Sequence, residues 1–249
     1  MKRPYIVTEG MSDAQILKTV FPENVAENVE FVIGSGRYSA QSLSRSILAV
    51  RKLPTALMID ADTNDEATIQ EQLEFLRESL RQASAGVEFE VFVAVPEIEI
   101  LLFQDTSFIE TLAGQIFSDI EWKIAKSRPK ESLSIILQGK SLQLPELLSQ
   151  LPQATIEIIR EHAPVSDLLR FLTSLIMVDW FFEHYESPAQ GVPYESREGG
   201  YQYVFGGPYD AREELQEAFP YAAPEDIEEA VGEIERESLE WVEKGQYLA

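Results

Sequence analysis

The chain has 249 residues, 45% of them hydrophobic, which suits one large globular domain or a domain with an appendage and excludes wholesale disorder. Its 43 acidic residues against 20 basic ones give a formal charge of −23, and this excludes a freely acting, non-specific nucleic-acid binder, whose affinity comes mostly from Lys and Arg neutralising phosphates. With no cysteine, disulfides, zinc–thiolate sites and thiol nucleophiles are excluded; a reducing, cytoplasmic setting is expected.

Taken in chain order, the first hundred residues alternate strand and helix. Tyr5-Ile6-Val7 reads as a strand that follows Met1-Lys2-Arg3-Pro4 with no apolar leader before it. Asp13 then opens a helix whose apolar residues Leu17, Val20 and Phe21 recur at helical spacing. Val29 to Ile33 is a second strand, ending in Gly34-Ser35-Gly36, and a helix through Leu43, Ile47 and Leu48 follows. Thr55 to Ile59 is a third strand, Glu66 to Arg81 an amphipathic helix, and Phe89 to Val95 a fourth strand stopped by Pro96. Repeated β-α units of this length predict an α/β fold: a Rossmann-like parallel sheet of about four strands flanked by helices and joined by right-handed crossovers. Ligands of such sheets bind at the carboxyl ends of the strands.

From Glu97 to about Glu183 the pattern is mostly helical, with turn signals at Pro129, Gly139, Pro152 and Pro164. Leu168, Leu172, Leu175 and Ile176 mark a buried helix ending near Tyr185, and the longest apolar stretch, Leu172 to Phe182, is too short and too polar to cross a bilayer. Residues 187–209 are rich in Gly, Pro and Tyr, and two acidic helices, about 210–218 and 224–240, finish the chain. Residues 186–249 hold sixteen of the acids and four of the bases. These shifts divide the chain into an α/β region (1–125), a helical extension (126–163) and an acidic, mostly helical C-terminal module (164–249).

The chemistry concentrates at predicted strand ends. Glu9 follows the first strand, Asp60 and Asp62 follow the third, and Glu97 and Glu99 follow the fourth. Carboxylates gathered on one edge repel one another as anions, so folding alone does not favour them there. A hard divalent cation does: Mg²⁺ takes oxygen ligands, often only one or two protein carboxylates with substrate phosphates, and a pair of ions can clamp both oxygens of a phosphoryl transfer. Each acid also has a plainer reading. Asp13 suits a helix N-cap, Asp60 and Asp62 a turn, and Glu97 the first turn of a helix.

Glu9-Gly10 after a strand, Asp13 four residues on, and Asp60-Ala61-Asp62 after the third strand resemble the Toprim signature of topoisomerases, primases, small recombination proteins and OLD-family nucleases. Val95-Pro96-Glu97-Ile98-Glu99-Ile100-Leu101-Leu102 is similar to the segment of OLD-type nucleases that binds a second metal, and Arg128-Pro129-Lys130 to the stretch that brings in a catalytic lysine. The resemblance covers about residues 3–135. It implies a metal-dependent nuclease acting on DNA or RNA with one or two Mg²⁺ or Mn²⁺ ions. Glu9 and Asp13 would coordinate one ion, with general acid–base work as an alternative for Glu9. Asp60 and Asp62 would hold or bridge a metal, and Glu99, helped by Glu97, would serve the second. Lys130 would stabilise charge on the scissile phosphate, although Lys123, Lys126, Arg128 and Lys140 compete for that role. OLD-type proteins commonly join this domain to an ATPase, and the chain has no credible Walker motif. The resemblance thus implies a separate ATPase or sensor partner in a prokaryotic anti-phage defence system, and leaves room for a homodimer. The alternative is a non-catalytic adaptor subunit of the same fold whose acidic edge binds a partner protein.

Other signals are weaker. Gly139-Lys140-Ser141 lacks the upstream glycine and strand of a P-loop. Gly34-Ser35-Gly36-Arg37 suits either a phosphate cradle or a plain strand-to-helix turn. His162 and His184, isolated in predicted helices, suit packing or capping. The Tyr/Gly segment suggests a small module that docks on the α/β body or recognises a partner.

Overall fold

The computed structural model describes residues 3–184, 193–195, 201–203 and 211–243. Contacts divide the chain into two compact units, Lys2–Leu169 and Arg170–Ala249. The first opens with β1 (Tyr5–Thr8), α1 (Met11–Val20), a short α2 (Glu23–Ala26), β2 (Glu30–Ile33) and α3 (Arg37–Ser46), which runs into a π-helical turn at Ile47–Arg51. Next come β3 (Thr55–Asp60), α4 (Glu66–Ser84) and β4 (Phe89–Ala94). A 3-10 helix at Ile98–Phe103 leads to α5 (Thr106–Ala113), α6 (Asp119–Ser127), α7 (Pro129–Lys140), α8 (Leu144–Leu148) and α9 (Gln153–Glu161). The division falls within α10 (Val165–His184).

The four strands are parallel, in the order β2-β1-β3-β4, as the β-α alternation predicts. Central β3 is buried along its whole length, which accounts for its nearly unbroken apolar run Ala56-Leu57-Met58-Ile59. With a period of two, Val7, Leu57, Ile59 and Val91 pack with Ala40 and Leu48 and with Leu76 and Leu80 of α4. Ile6, Ala56 and Met58, at the alternate positions, are equally buried, and α1 contacts β1 and β2 with its own buried Ala14, Ile16, Leu17 and Val20.

Several local expectations shift. Asp13 does not open α1: Gly10 is the cap residue and Asp13 stands in the first turn. Pro129 heads α7, where a missing N–H costs nothing, and Gly139 lies inside that helix rather than in a turn. Lys140 and Ser141 are then a helix end, not a nucleotide loop.

In the second unit, β5 (Pro193–Glu195) and β6 (Tyr201–Tyr203) pair antiparallel, followed by α11 (Ala211–Ala218) and α12 (Pro224–Glu243). Leu215, Ile227, Ala230 and Ile234 are buried in these helices, and Phe219, just after α11, is buried with Trp180 packed edge-on against it at 5.1 Å. The rest of the Tyr/Gly segment lies outside the described residues. Among the described residues, no helix is long and apolar enough to cross a membrane.

Candidate functional site

The strand order reverses beside β1: the chain moves from β1 to β2 on one side and returns to β3 on the other. At such a switch point the loops diverge and leave a crevice outside the carboxyl ends of the strands. Glu9 leaves β1 and Asp60 ends β3, one on each side of that crevice. They touch: the Asp60 backbone N–H donates to Glu9 Oε1 at 3.2 Å.

Asp13 joins them from α1. Its Oδ2 accepts the Gly10 backbone N–H at 2.8 Å and its Oδ1 accepts the Ser12 hydroxyl at 3.0 Å, so the side chain is held in place and buried. The plainer expectation for Asp13, a bond to its own helix terminus, is thus observed in a different register, from the third helical position back to the cap residue. Asp62 differs from these three. It sits in the left-handed region at φ 55°, and its side chain is 65% exposed.

The turn after β2 delivers Arg37 to the same edge. Gly34 is required there, because a Cβ would lie 2.6 Å from the Ala40 backbone nitrogen, and Gly36 has φ +106°. Their N–H groups donate to Thr8 and Glu9 carbonyls at 2.8 Å, so the turn is fastened to the end of β1 rather than open as an amide cradle. Arg37 follows as the first residue of α3. Its Nε is 3.4 Å from Glu9 Oε1, and one terminal nitrogen donates to Asp62 Oδ2 at 2.8 Å and to the Asp60 carbonyl. The sequence offers Arg37 only as a neighbour of a glycine turn; the structure makes it the cation of the acidic edge.

The segment after β4 contributes the remaining groups. Asp60 Oδ1 accepts the Ile98 backbone N–H at 2.8 Å, which ties the 3-10 helix to the end of β3. Within that helix Glu99 is buried among Ile98, Ile100, Leu101, Leu102 and Phe103, at 3% exposure. Its Oε2 is buried without a hydrogen-bond partner, and its Oε1 lies 3.9 Å from the Lys130 ammonium. Glu97, by contrast, accepts the Lys130 backbone N–H at 3.1 Å and so serves the open N-terminus of α7. Of the competing bases, Arg128 pairs with Glu131 at 3.4 Å and Lys126 lies over the Trp122 ring, whereas Lys130 stands against a candidate carboxylate.

The electrostatics follow from burial and crowding. Burial pushes the Asp60 carboxyl up to about 8, with the Asp13, Glu99 and Glu9 charges adding to it and the Ile98 N–H opposing. Burial also raises Glu9, against the pull of Arg37, and raises Glu99, against its own backbone hydrogen bond and Lys130. Burial opposes the Lys130 charge, but Glu99, Asp60, Glu97 and Asp13 together outweigh it and hold the ammonium above its ordinary value.

Glu9, Asp13, Asp60 and Glu99 are therefore brought within one electrostatic cluster, with Lys130 on one flank and the Arg37–Asp62 pair on the other. Among the described residues, no three acidic or histidine side chains stand ready-made around a cation. The donor set nevertheless fits one. All its ligands are oxygens, the hard type that Mg²⁺ and Mn²⁺ take, and the buried, unpartnered Glu99 oxygen lacks the positive partner that such a group calls for. The histidines stand apart: His162 ends α9, and His184 stacks on Trp180 at 4.4 Å. No family model, curated protein or solved structure matches the chain.

Proposed function

We propose that this chain is a divalent-metal-dependent phosphodiesterase that cleaves nucleic acid, DNA or RNA. The observation that carries the reading is the buried, unpartnered Glu99 oxygen in a cluster with Asp60 and Asp13 at the topological switch point. Asp13, Glu99 and Glu9 crowd the buried Asp60 carboxylate and raise its proton affinity, an arrangement that a cation relieves and that packing alone does not reward. The motif order that resembles Toprim nucleases is an independent support.

On this reading Asp13, Asp60 and Glu99 hold the cation, with Glu9 and Asp62 at its margin. A bound Mg²⁺ or Mn²⁺ supplies a Lewis acid for a phosphoryl oxygen and lowers the barrier to attack by water. The chain's own groups supply the rest. Lys130, anchored at the start of α7, offers an ammonium to negative charge growing on the phosphate. Glu9, half-buried and raised in proton affinity, takes or returns a proton at the reacting edge. Arg37 offers two nitrogens, spaced for non-bridging phosphate oxygens. The net charge of −23 opposes unaided binding of a polyanion, so a separate partner, an ATPase of a prokaryotic anti-phage system in the resemblance, would gate or present the substrate.

The test is cleavage of single- and double-stranded DNA and RNA by the purified chain, with Mg²⁺, with Mn²⁺ and with chelator. Cutting is expected only with metal, and Asp60→Asn or Glu9→Gln should each slow it by about 100-fold or more. Undiminished cutting by the double variant would overturn the assignment.

A further inference from the structure

Arg37 makes three polar contacts at the acidic edge, and all of them are to groups far away in sequence: Glu9 and Asp62 carboxylates and the Asp60 carbonyl. Its side chain is 26% exposed, partly withdrawn from water but not sealed off from it. The backbone that carries it is over-determined, with the Gly34 and Gly36 N–H groups fastened to the end of β1 and no room at Gly34 for a side chain. Such a tether fixes the start of the side chain, so only its far end can exchange partners.

The oxygens it occupies matter. Glu9 Oε1 already accepts the Asp60 N–H and Arg37 Nε, and Asp62 Oδ2 accepts from Arg37. These are two of the carboxylates that flank the Asp13–Asp60–Glu99 cluster, and the guanidinium occupies one oxygen of each. A guanidinium cannot lose its proton to make way. It leaves a carboxylate when a better anion appears, and a phosphodiester presents two non-bridging oxygens that match its fork.

Resting on the metal-site reading above, we propose that Arg37 is an electrostatic gate: in the free protein its guanidinium takes the place of a divalent cation on Glu9 and Asp62, and a phosphodiester that draws it away releases both carboxylates to the metal. Metal and substrate then help each other bind, by linkage. Besides its contact with the phosphodiester, Arg37 thereby acts on the metal through Glu9 and Asp62, and it limits metal loading until a substrate arrives.

The test measures Mn²⁺ affinity by calorimetry, without catalysis, in the wild type, Arg37→Met, Arg37→Lys and Asp60→Asn, each with and without a phosphorothioate dinucleotide. Removing the competing cation should tighten Mn²⁺ binding by about tenfold in Arg37→Met, a modest share of what a unit charge at contact distance can do. Arg37→Lys, which keeps the charge, should stay near the wild type. The dinucleotide should tighten Mn²⁺ binding in the wild type more than in Arg37→Met. Mn²⁺ binding in Arg37→Met that is equal to or weaker than in the wild type overturns the gate, because a merely structural arginine would loosen the site when lost. If Arg37→Met does not fold, the dinucleotide effect in the unaltered chain decides alone: no tightening there also overturns the gate. The underlying site fails separately, if Mn²⁺ binds the wild type only as well as it binds Asp60→Asn or binds no form at all.

Discussion

Apart from Asp226, whose Oδ2 is buried without a hydrogen-bond partner, the acids of the C-terminal helices and those of the sheet edge obey opposite rules. Along α11 and α12, Glu213, Glu217, Glu225, Glu228, Glu229, Glu233 and Glu235 lie off the stripe that Leu215, Ile227, Ala230 and Ile234 bury. Water screens those charges, and the helices carry them as a solvated face. At the sheet edge Asp13, Asp60 and Glu99 are buried, and Asp13 raises the cost of charging both of the others. A count of acids, however extreme, therefore says little about chemistry. Three buried carboxylates carry more information than the sixteen acids of residues 186–249.

Neutralising one acid in each region turns this contrast into a measurement, and the largest effect belongs to Asp60→Asn. The amide oxygen can still accept the Ile98 N–H, so packing is kept while the buried charge is removed. The sign is fixed by the shift. Asp60 holds its proton more tightly folded than unfolded, so its contribution to stability is lost as pH rises from about 4 towards about 8, and is flat above that. In chelator at pH 8 the variant should be more stable than the wild type by about 2 kcal/mol, and near pH 4 the two should converge. Melting curves across that range decide it. A variant less stable than the wild type at pH 8 would mean that the carboxylate is well compensated in the fold, and the contrast between the regions would break.

A smaller effect of opposite sign is expected from Lys130→Met. The Lys130 side chain is 57% exposed, yet its ammonium faces the buried Glu99. Its loss should destabilise the chelated protein at pH 8 by less than about 1 kcal/mol, because water screens an exposed partner. The loss should vanish at low pH as Glu99, whose proton affinity is already raised, becomes neutral. Denaturant titrations at pH 5 and pH 8 test this. A pH-independent loss would mark Lys130 as a packing residue of α7.

Much of the fold was legible because hydrophobic period and strand length report on local burial. The run Thr55 to Ile59 and the four strands with the helices between them are visible in the chain, and the parallel sheet follows from them. Glu9 and Asp60 were legible for the same reason, as the first charged residues after apolar strands. Arg37 was not. Its partners lie 28, 23 and 25 residues away, and nothing around Gly34-Ser35-Gly36 shows which way its side chain turns. Glu97 and Glu99 look alike in sequence, and the 3-10 helix separates them: one reaches the N-terminus of α7, the other is buried in an apolar run. Asp13 reads as a cap, and the register of α1 makes it a buried partner of Gly10 instead.

The smallest predicted effect completes the contrast. Glu228→Gln removes one charge from α12 and breaks an exposed pair with Arg212, whose closest atoms are 2.6 Å apart. Both side chains are about half exposed, so the attraction is screened and offset by the entropy of holding two long side chains still. The expected change in stability is below about 0.5 kcal/mol, and it should shrink further in about 0.5 M salt. Because Glu225, three residues before it on the same helix, repels Glu228, the sign itself can reverse at low salt. A loss above about 1.5 kcal/mol, insensitive to salt, would mean that this face is desolvated, and the acids of α12 would then belong with those of the sheet edge rather than against them.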